Sequence, residues 1–320
     1  MKILITGGLG FIGSNFIRYI LNKYPKIQIV NLDKQTYASC PANLKDIWKD
    51  RRYHYIKGDI CNQKTVETAM RGCSVVINFA AETHVDRSIQ DASVFLKTNV
   101  LGVHVLLEVA RFYKISRFIQ ISTDEVYGSR LRGSFKEDDD LMPNSPYSAS
   151  KASADLLVRS YFKTYKMPLV ITRTSNNFGP YQFPEKVIPL FITNLLEGKK
   201  VPLYGDGKNV RDWIYVLDNC RGIDRVLNKG KIGQIYNIAS GFEMSNIELT
   251  ECILKILGKS KTQIKYVKDR PGHDRRYSLN TAKIRALGFK PAFDFLKCIA
   301  LTVNWYKQNQ KWWKRLKKRY

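Results

Sequence analysis

Gly7-Gly8-Leu9-Gly10-Phe11-Ile12-Gly13 lies between an apolar run, Lys2-Ile3-Leu4-Ile5-Thr6, and a helical pattern over Phe11 to Lys23. Glycines at this spacing let a chain leave a strand, turn tightly and pack a helix back onto that strand. The pattern then repeats. Apolar runs at Ile27–Leu32, Tyr53–Lys57, Val75–Phe79, Phe118–Ser122 and Leu169–Arg173 alternate with helical stretches near 63–71, 92–113 and 147–165. Such β-α-β alternation predicts an α/β fold, a Rossmann-type doubly wound parallel sheet with right-handed crossovers and helices on both faces. After about residue 175 the rhythm breaks at Gly179-Pro180 and Pro184, and Gly205-Asp206-Gly207 marks a tight turn. The expected division is a Rossmann domain over 1–178, with return segments from about 210–240, and a smaller substrate-binding domain over 179–320.

The glycine loop also has a chemical reading. Bare backbone admits a pyrophosphate, and the following helix N-terminus supplies donors and partial positive charge. Asp33 ends the second predicted strand, twenty residues beyond Gly13. A carboxylate there accepts hydrogen bonds from ribose hydroxyls and repels a 2′-phosphate, which favours NAD over NADP. Lys34 opposes that preference, because an ammonium could meet such a phosphate. Asp59, after the third strand, suits either an adenine-edge contact or a turn.

Charge and composition exclude several classes. Lys and Arg number 53 against 28 Asp and Glu, a net charge of +25, yet the basic residues are spread rather than striped, which is no footprint of nucleic-acid binding. The last segment, Trp305 to Tyr320, is cationic and aromatic; it suits an amphipathic terminal helix whose tryptophans pack inward, or a membrane-surface helix. No hydrophobic stretch is expected to reach the roughly 20 residues that span a bilayer. Glycines 7, 8, 10 and 13 interrupt the apolar N-terminus and no cleavage site follows, against a signal peptide. Six scattered cysteines without C-x-x-C, and only four histidines, predict free thiols, no metal site and a cytoplasmic location.

The reactive inventory is concentrated in two segments. Ser122-Thr123-Asp124-Glu125-Val126-Tyr127-Gly128 places two carboxyls at the C-terminal end of a predicted strand, where open α/β sheets bind ligands. Tyr147-Ser148-Ala149-Ser150-Lys151 places a phenol and an ammonium on one helix face. A tyrosine base near neutrality needs its pKa lowered from about 10 toward about 7, roughly 4 kcal/mol, and Lys151 can contribute this by favouring the phenolate. Taken alone, Y-x-x-x-K also suits a surface pair, and Asp124-Glu125 a capping turn.

With these motifs together, the chain resembles the extended short-chain dehydrogenase/reductases and, among them, the nucleotide-sugar 4,6-dehydratases. The resemblance covers Thr6–Gly13, Asp33–Ala38, Lys57–Ile60, Ala80–Ser88, both reactive segments, Ser175–Lys186, Tyr204–Gly207, Arg211–Trp213 and Arg270–Tyr277. It implies NAD as cofactor, lined by Gly7, Gly10, Phe11, Ile12, Gly13, Asp33, Lys34, Thr36, Asp59, Ile60, Ala80, Ala81, Thr83, Asn99, Ser122, Tyr147, Lys151 and Asn177. It implies a nucleotide sugar, dTDP-glucose first and UDP- or CDP-glucose as alternatives, held by His84, Thr123, Asn176, Lys186, Val187, Leu203, Tyr204, Arg211, Asn246, His273, Arg275 and Tyr277. It also implies roles: Tyr147 as base at the 4-hydroxyl, Thr123 bonded to that oxygen, Glu125 as base at C5 and protonated Asp124 as acid at the departing 6-hydroxyl. A homodimer built on the helices near 95–112 and 147–165 is the expected assembly. Ser39-Cys40-Pro41-Ala42 and Thr174 depart from the family pattern without touching the proposed acids or base. The rival expectations are a UDP-sugar 4-epimerase or decarboxylase, and a non-catalytic NAD-binding protein associated with nucleic acid.

Overall fold

The computed structural model describes residues 1–319. The chain opens with β1 (Lys2–Thr6), α1 (Phe11–Lys23), β2 (Gln28–Asp33), β3 (Tyr53–Lys57), α2 (Gln63–Met70) and β4 (Val75–Asn78). Three helices, α3 (Val85–Gln90), α4 (Ser93–Leu96) and α5 (Gly102–Phe112), lead to β5 (Arg117–Thr123). Next come α6 (Pro146–Tyr165), β6 (Leu169–Thr174), β7 (Asn176–Phe178), α7 (Val187–Leu196), β8 (Val201–Tyr204) and β9 (Val210–Tyr215). The chain continues through α8 (Val216–Lys229), β10 (Ile235–Ile238), β11 (Glu243–Ser245), α9 (Asn246–Leu257) and β12 (Ile264–Val267). It closes with α10 (Ala282–Ala286), α11 (Phe295–Gln308) and α12 (Gln310–Lys317).

Seven strands form one sheet in the order β10-β6-β5-β4-β1-β2-β3, with every pair parallel. This is the doubly wound α/β sheet expected from the alternating runs. Its inner strands are buried on both faces, as Ile3, Leu4 and Ile5 of β1 show, so they read as continuous apolar runs rather than alternating ones. From β1 the chain adds β2 and β3 on one side, then crosses to add β4, β5 and β6 on the other. The crevice beyond the C-terminal ends of β1 and β4 is therefore the switch point at which such sheets bind ligands. β10 later pairs with β6, bringing residues 235–238 back to the sheet edge.

The stretch near 92–113 is not one regular helix. A single π turn, Lys97–Leu101, separates α4 from α5 and directs Asn99 inward; such turns recur at functional sites. One wider turn barely disturbs an apolar pattern, so periodicity could not reveal it. Contrary to expectation, Ser93–Phe112 reaches 20 residues with a mean hydropathy of 1.4, long and apolar enough by length and composition to cross a membrane. Here its inner face, including Val103, Leu106, Leu107 and Ala110, is buried in the fold.

A second core gathers Ile192, Leu203, Trp213, Ile253, Ile299, Tyr306 and Trp313 beside the main sheet. α12 turns Trp313 and Leu316 inward and leaves Lys311, Lys314, Arg315 and Lys318 exposed; Tyr320 lies outside the described residues. The Trp312 indole donates to Asn43 Oδ1 at 2.9 Å, and Leu316 packs with Cys40 and Phe183, so α12 leans on the loop after β2. Trp313 is fully buried and its indole N–H donates to the Tyr306 carbonyl at 2.8 Å. Trp313→Ala is expected to cost about 3–5 kcal/mol in denaturant unfolding; an unchanged midpoint would mean that α12 is not part of this core.

Candidate active site

The glycine loop has no room for a side chain at Gly7, Gly8 or Gly13. Gly7 adopts φ +69°, and a Cβ there would stand 2.7 Å from the Ala80 backbone; at Gly13 it would stand 2.5 Å from the Gly7 carbonyl oxygen. Gly10 caps α1 without a side-chain hydrogen bond, which leaves the first N–H groups of the helix available to an anion.

A single cleft runs from this loop across the C-terminal ends of the central strands. One end is lined by Gly7, Gly10, Phe11, Ile12, Gly13, Asp33, Lys34, Thr36, Asp59, Ile60, Ala80, Ala81 and Thr83. The other is lined by Ser122, Thr123, Asp124, Glu125, Tyr147, Lys151, Asn176, Asn177 and Lys186. Asp33 accepts hydrogen bonds from the Leu9 N–H at 2.9 Å and the Gln35 N–H at 2.8 Å, tying the glycine loop to the end of β2. The Lys34 ammonium is paired with Asp59 at 2.7 Å. Asn99 stands behind the wall rather than in it. Its amide donates to the Glu82 carbonyl and to Ser150 Oγ, and its oxygen accepts from the Glu82 N–H.

α6 begins where it does because Ser145 and Ser148 form a reciprocal capping box and Pro146 occupies the first turn. That start places Tyr147 in the first turn, where its N–H donates to Ser88 Oγ at 3.1 Å and its ring meets Phe95 edge-on. Burial, Glu125 and Asp124 all push the phenol pKa upward. Lys151 donates to the Ile121 carbonyl oxygen at 2.7 Å, and burial lowers its pKa to about 8.

Thr123 caps the turn Asp124–Tyr127 by accepting from the Glu125 N–H, and its hydroxyl lies 3.1 Å from Asp124 Oδ1. Asp124 is 2% exposed, and its Oδ2 has no partner among the described residues. Burial, then the Glu125 charge, hold its pKa well above the carboxylate range. Burial raises Glu125 as well, but Arg270, Arg211 and Lys186 pull it back toward ionisation. The two neighbours thus differ in kind: Asp124 is biased to the neutral acid, while Glu125 faces three cations.

Most other predicted substrate residues lie beyond the cleft proper. Arg211 is buried over the Tyr277 ring and donates to the Asp274 carbonyl, and the Tyr277 hydroxyl donates to Asp274 Oδ2. His273 bonds Asp269 and meets Tyr204 edge-on, and Tyr204 reaches Asp86 at 3.4 Å. His84 caps α3. Burial, with Lys186, Arg87 and Arg270 nearby, lowers its pKa to about 3, so it is neutral. Val187 and Asn246 open α7 and α9, and Leu203 is buried in the second core. Arg275 is not brought to the cleft: it is exposed and forks onto Asp206 at 2.8 and 3.0 Å. Arg270, assigned no role from sequence, faces Glu125 electrostatically, and its Nε is buried without a partner among the described residues. Glu82, Gln182 and Glu185 also line the cleft unannounced. Glu185 accepts from the Tyr37 hydroxyl at 2.8 Å, a pairing of residues 148 positions apart that no local pattern signals.

The family model described as GDP-mannose 4,6 dehydratase matches residues 4–302. A dTDP-glucose 4,6-dehydratase of Streptomyces niveus is 48% identical over 322 residues, covering 99% of this chain and 96% of the relative. The crystal structure of DesIV, the dTDP-glucose 4,6-dehydratase of Streptomyces venezuelae, with NAD and thymidine diphosphate bound, superimposes with a TM-score of 0.97. It is 49% identical, covering 99% of this chain and 100% of that one. A UDP-glucuronic acid 4-epimerase from Bacillus cereus is similar at 30% identity and a TM-score of 0.91, covering 96% of this chain and 99% of that one.

Proposed function

This chain belongs to the GDP-mannose 4,6 dehydratase family of extended short-chain dehydrogenase/reductases, and from that premise we propose that it converts dTDP-glucose to dTDP-4-keto-6-deoxyglucose with NAD as cofactor. The observation that carries this reading is the Asp124–Glu125 pair at the end of β5, one carboxyl held well above the carboxylate range and the other facing Arg270, Arg211 and Lys186, which counter its burial. Elimination of water needs both.

The cleft suits the dinucleotide: a Cβ at Gly7, Gly8 or Gly13 would clash, α1 is uncapped by side chains, and Ser122 Oγ and Asn177 Oδ1 are buried without partners among the described residues. Gly10, Phe11, Ile12 and Gly13 would hold its pyrophosphate, Asp33 its adenosine ribose, Asp59 and Ile60 its adenine side, and Ala80, Ala81, Thr83, Ser122 and Asn177 the remainder. When bound, the nicotinamide would supply the hydride acceptor for sugar C4 and the hydride donor for C6.

Tyr147 removes the proton of the 4-hydroxyl while Thr123 holds that oxygen. A neutral Asp124 helps, because it takes away one of the charges that push the phenol upward. The resulting ketone acidifies the neighbouring C5–H. Glu125 takes that proton as the C6–O bond breaks, and Asp124 protonates the departing oxygen, so one water leaves. Glu125 then returns a proton to C5 as C6 is reduced. Lys186 and Arg211, with Arg270 beside them, suit the diphosphate.

Leu96, Leu101 and Phe112, with Leu156 and Tyr165 of α6, expose an apolar face suited to a second copy of this chain; sedimentation is expected to give twice the chain mass, and a single-chain mass would remove the dimer. All six cysteines are free thiols, which fits a reducing cytoplasm. The function is tested by incubation with dTDP-, UDP- and CDP-glucose, following products by mass. Loss of one water from dTDP-glucose is expected. No loss from any of them overturns the reaction, and preference for another base overturns the nucleotide.

A further inference from the structure

α6 carries Tyr147, Lys151 and Asp155 at intervals of four residues, so the three lie along one helix face. Helical side chains tend to lean toward the N-terminus, which sets Asp155, Lys151 and Tyr147 in succession along that face. Asp155 is 1% exposed, Lys151 4% and Arg173 3%. One Asp155 oxygen accepts from Arg173 Nε at 2.9 Å; the other is buried without a partner among the described residues. Arg173, on β6, has other partners for the rest of its guanidinium. Its Nη1 donates to the Glu137 carbonyl at 3.3 Å, and its guanidinium carbon lies 4.6 Å above the Tyr127 ring.

Stability alone does not account for this pair. A buried ion pair roughly breaks even against apolar residues of similar volume. The groups around Lys151 are few. Tyr147 and Asp155 come from α6, Asp124 and Glu125 from the turn after β5, and Arg173 from β6. The elements on the far side present Ser88, Phe95 and Asn99, none of which titrates, and α5 meets α6 further along through His104 and Glu108 at Tyr161. The hydrogen-bond acceptor of Lys151 is a neutral carbonyl. Of the charged groups, Asp155 is the one that favours the ammonium against burial.

We propose that Asp155 is a positioning residue for the reaction, forming with Arg173 a buried pair behind Lys151 that keeps the lysine charged and directed along the helix face toward Tyr147. This rests on the reading of Tyr147 as base and Lys151 as its partner. Two substitutions have opposite expected signs. Asp155→Asn leaves Lys151 with burial and the Arg173 charge, so its ammonium is lost at lower pH and the alkaline limb of the kcat/KM profile moves down by about one pH unit. Arg173→Met leaves the Asp155 charge uncompensated, so the same limb moves up.

Each single variant strands a buried charge, so the double variant Asp155→Asn/Arg173→Met is included; its limb is expected below that of wild type. Asp155→Glu should restore the limb partly. The ε-carbon shift of Lys151 in 13C-lysine-labelled protein reports the same titration without turnover, which separates failure of this role from failure of the proposed reaction. Limbs and Lys151 titration unmoved in all the variants, with only melting temperatures changed, would overturn the proposal.

Discussion

Glu125→Gln is expected to lower conversion to the keto sugar by roughly 100- to 10,000-fold, the range for loss of a positioned general base, while C4 oxidation survives. Glutamine keeps the side-chain shape at the mouth of the turn after β5 but cannot take the C5 proton. Tyr147, Thr123 and Lys151 are untouched, so hydrogen still leaves C4. Reduced-cofactor absorbance should therefore rise with dTDP-glucose and persist, because no elimination follows to consume it. A further consequence concerns charge. The Glu125 carboxylate is the larger of the two charges that push the Tyr147 phenol upward, so its removal should ease the first step. Full conversion by this variant, or loss of C4 oxidation together with dehydration, would remove Glu125 from the base role.

Asp124→Asn is expected to suppress dehydration by a similar factor and to change stability in a pH-dependent way. In the fold, burial and Glu125 hold the Asp124 carboxyl well above its ordinary value. A group with a raised folded pKa binds its proton more tightly folded than unfolded. Its contribution is fully present below the unfolded value of about 4 and is lost as pH rises through the folded value. Asparagine has no such loss. The variant should therefore gain on wild type in melting temperature as pH rises above about 4 toward the raised folded value, and the difference should shrink on acidification toward about 4. A difference that grows on acidification instead would mean that Asp124 is ionised in the fold, and it could not then protonate the 6-hydroxyl.

What sequence could show was local. The glycine loop, Asp33, the Thr123-Asp124-Glu125 segment and Tyr147/Lys151 each announce themselves through neighbours, since strand ends, helix starts and four-residue intervals are short-range patterns. The sheet was legible for the same reason, its inner parallel strands being buried on both faces. The rest depends on contacts across long stretches of chain. β10 joins β6 across about sixty residues, α12 reaches the loop after β2 through Trp312 and Asn43, and Glu185 meets Tyr37. Arg270 and Arg275 illustrate the limit most clearly. Both are arginines in one basic loop, and only the fold shows that Arg275 is spent on Asp206 at the surface while Arg270, its Nη1 3.9 Å from Asp86, favours ionisation of Glu125. The π turn at Lys97–Leu101 hides for a different reason, because adding one residue to a turn leaves the apolar pattern nearly unchanged.

Elimination across C5 and C6, the step for which Asp124 and Glu125 are paired, is tested most directly by running the reaction on dTDP-glucose in deuterated water and locating hydrogen in the product. One solvent deuterium at C5 and the original C4 hydrogen at C6 are expected, because Glu125 exchanges with solvent while the hydride stays on the cofactor between the two carbons. Solvent deuterium at C6, or a product isomeric with the substrate and unlabelled at C5, would contradict elimination by this pair.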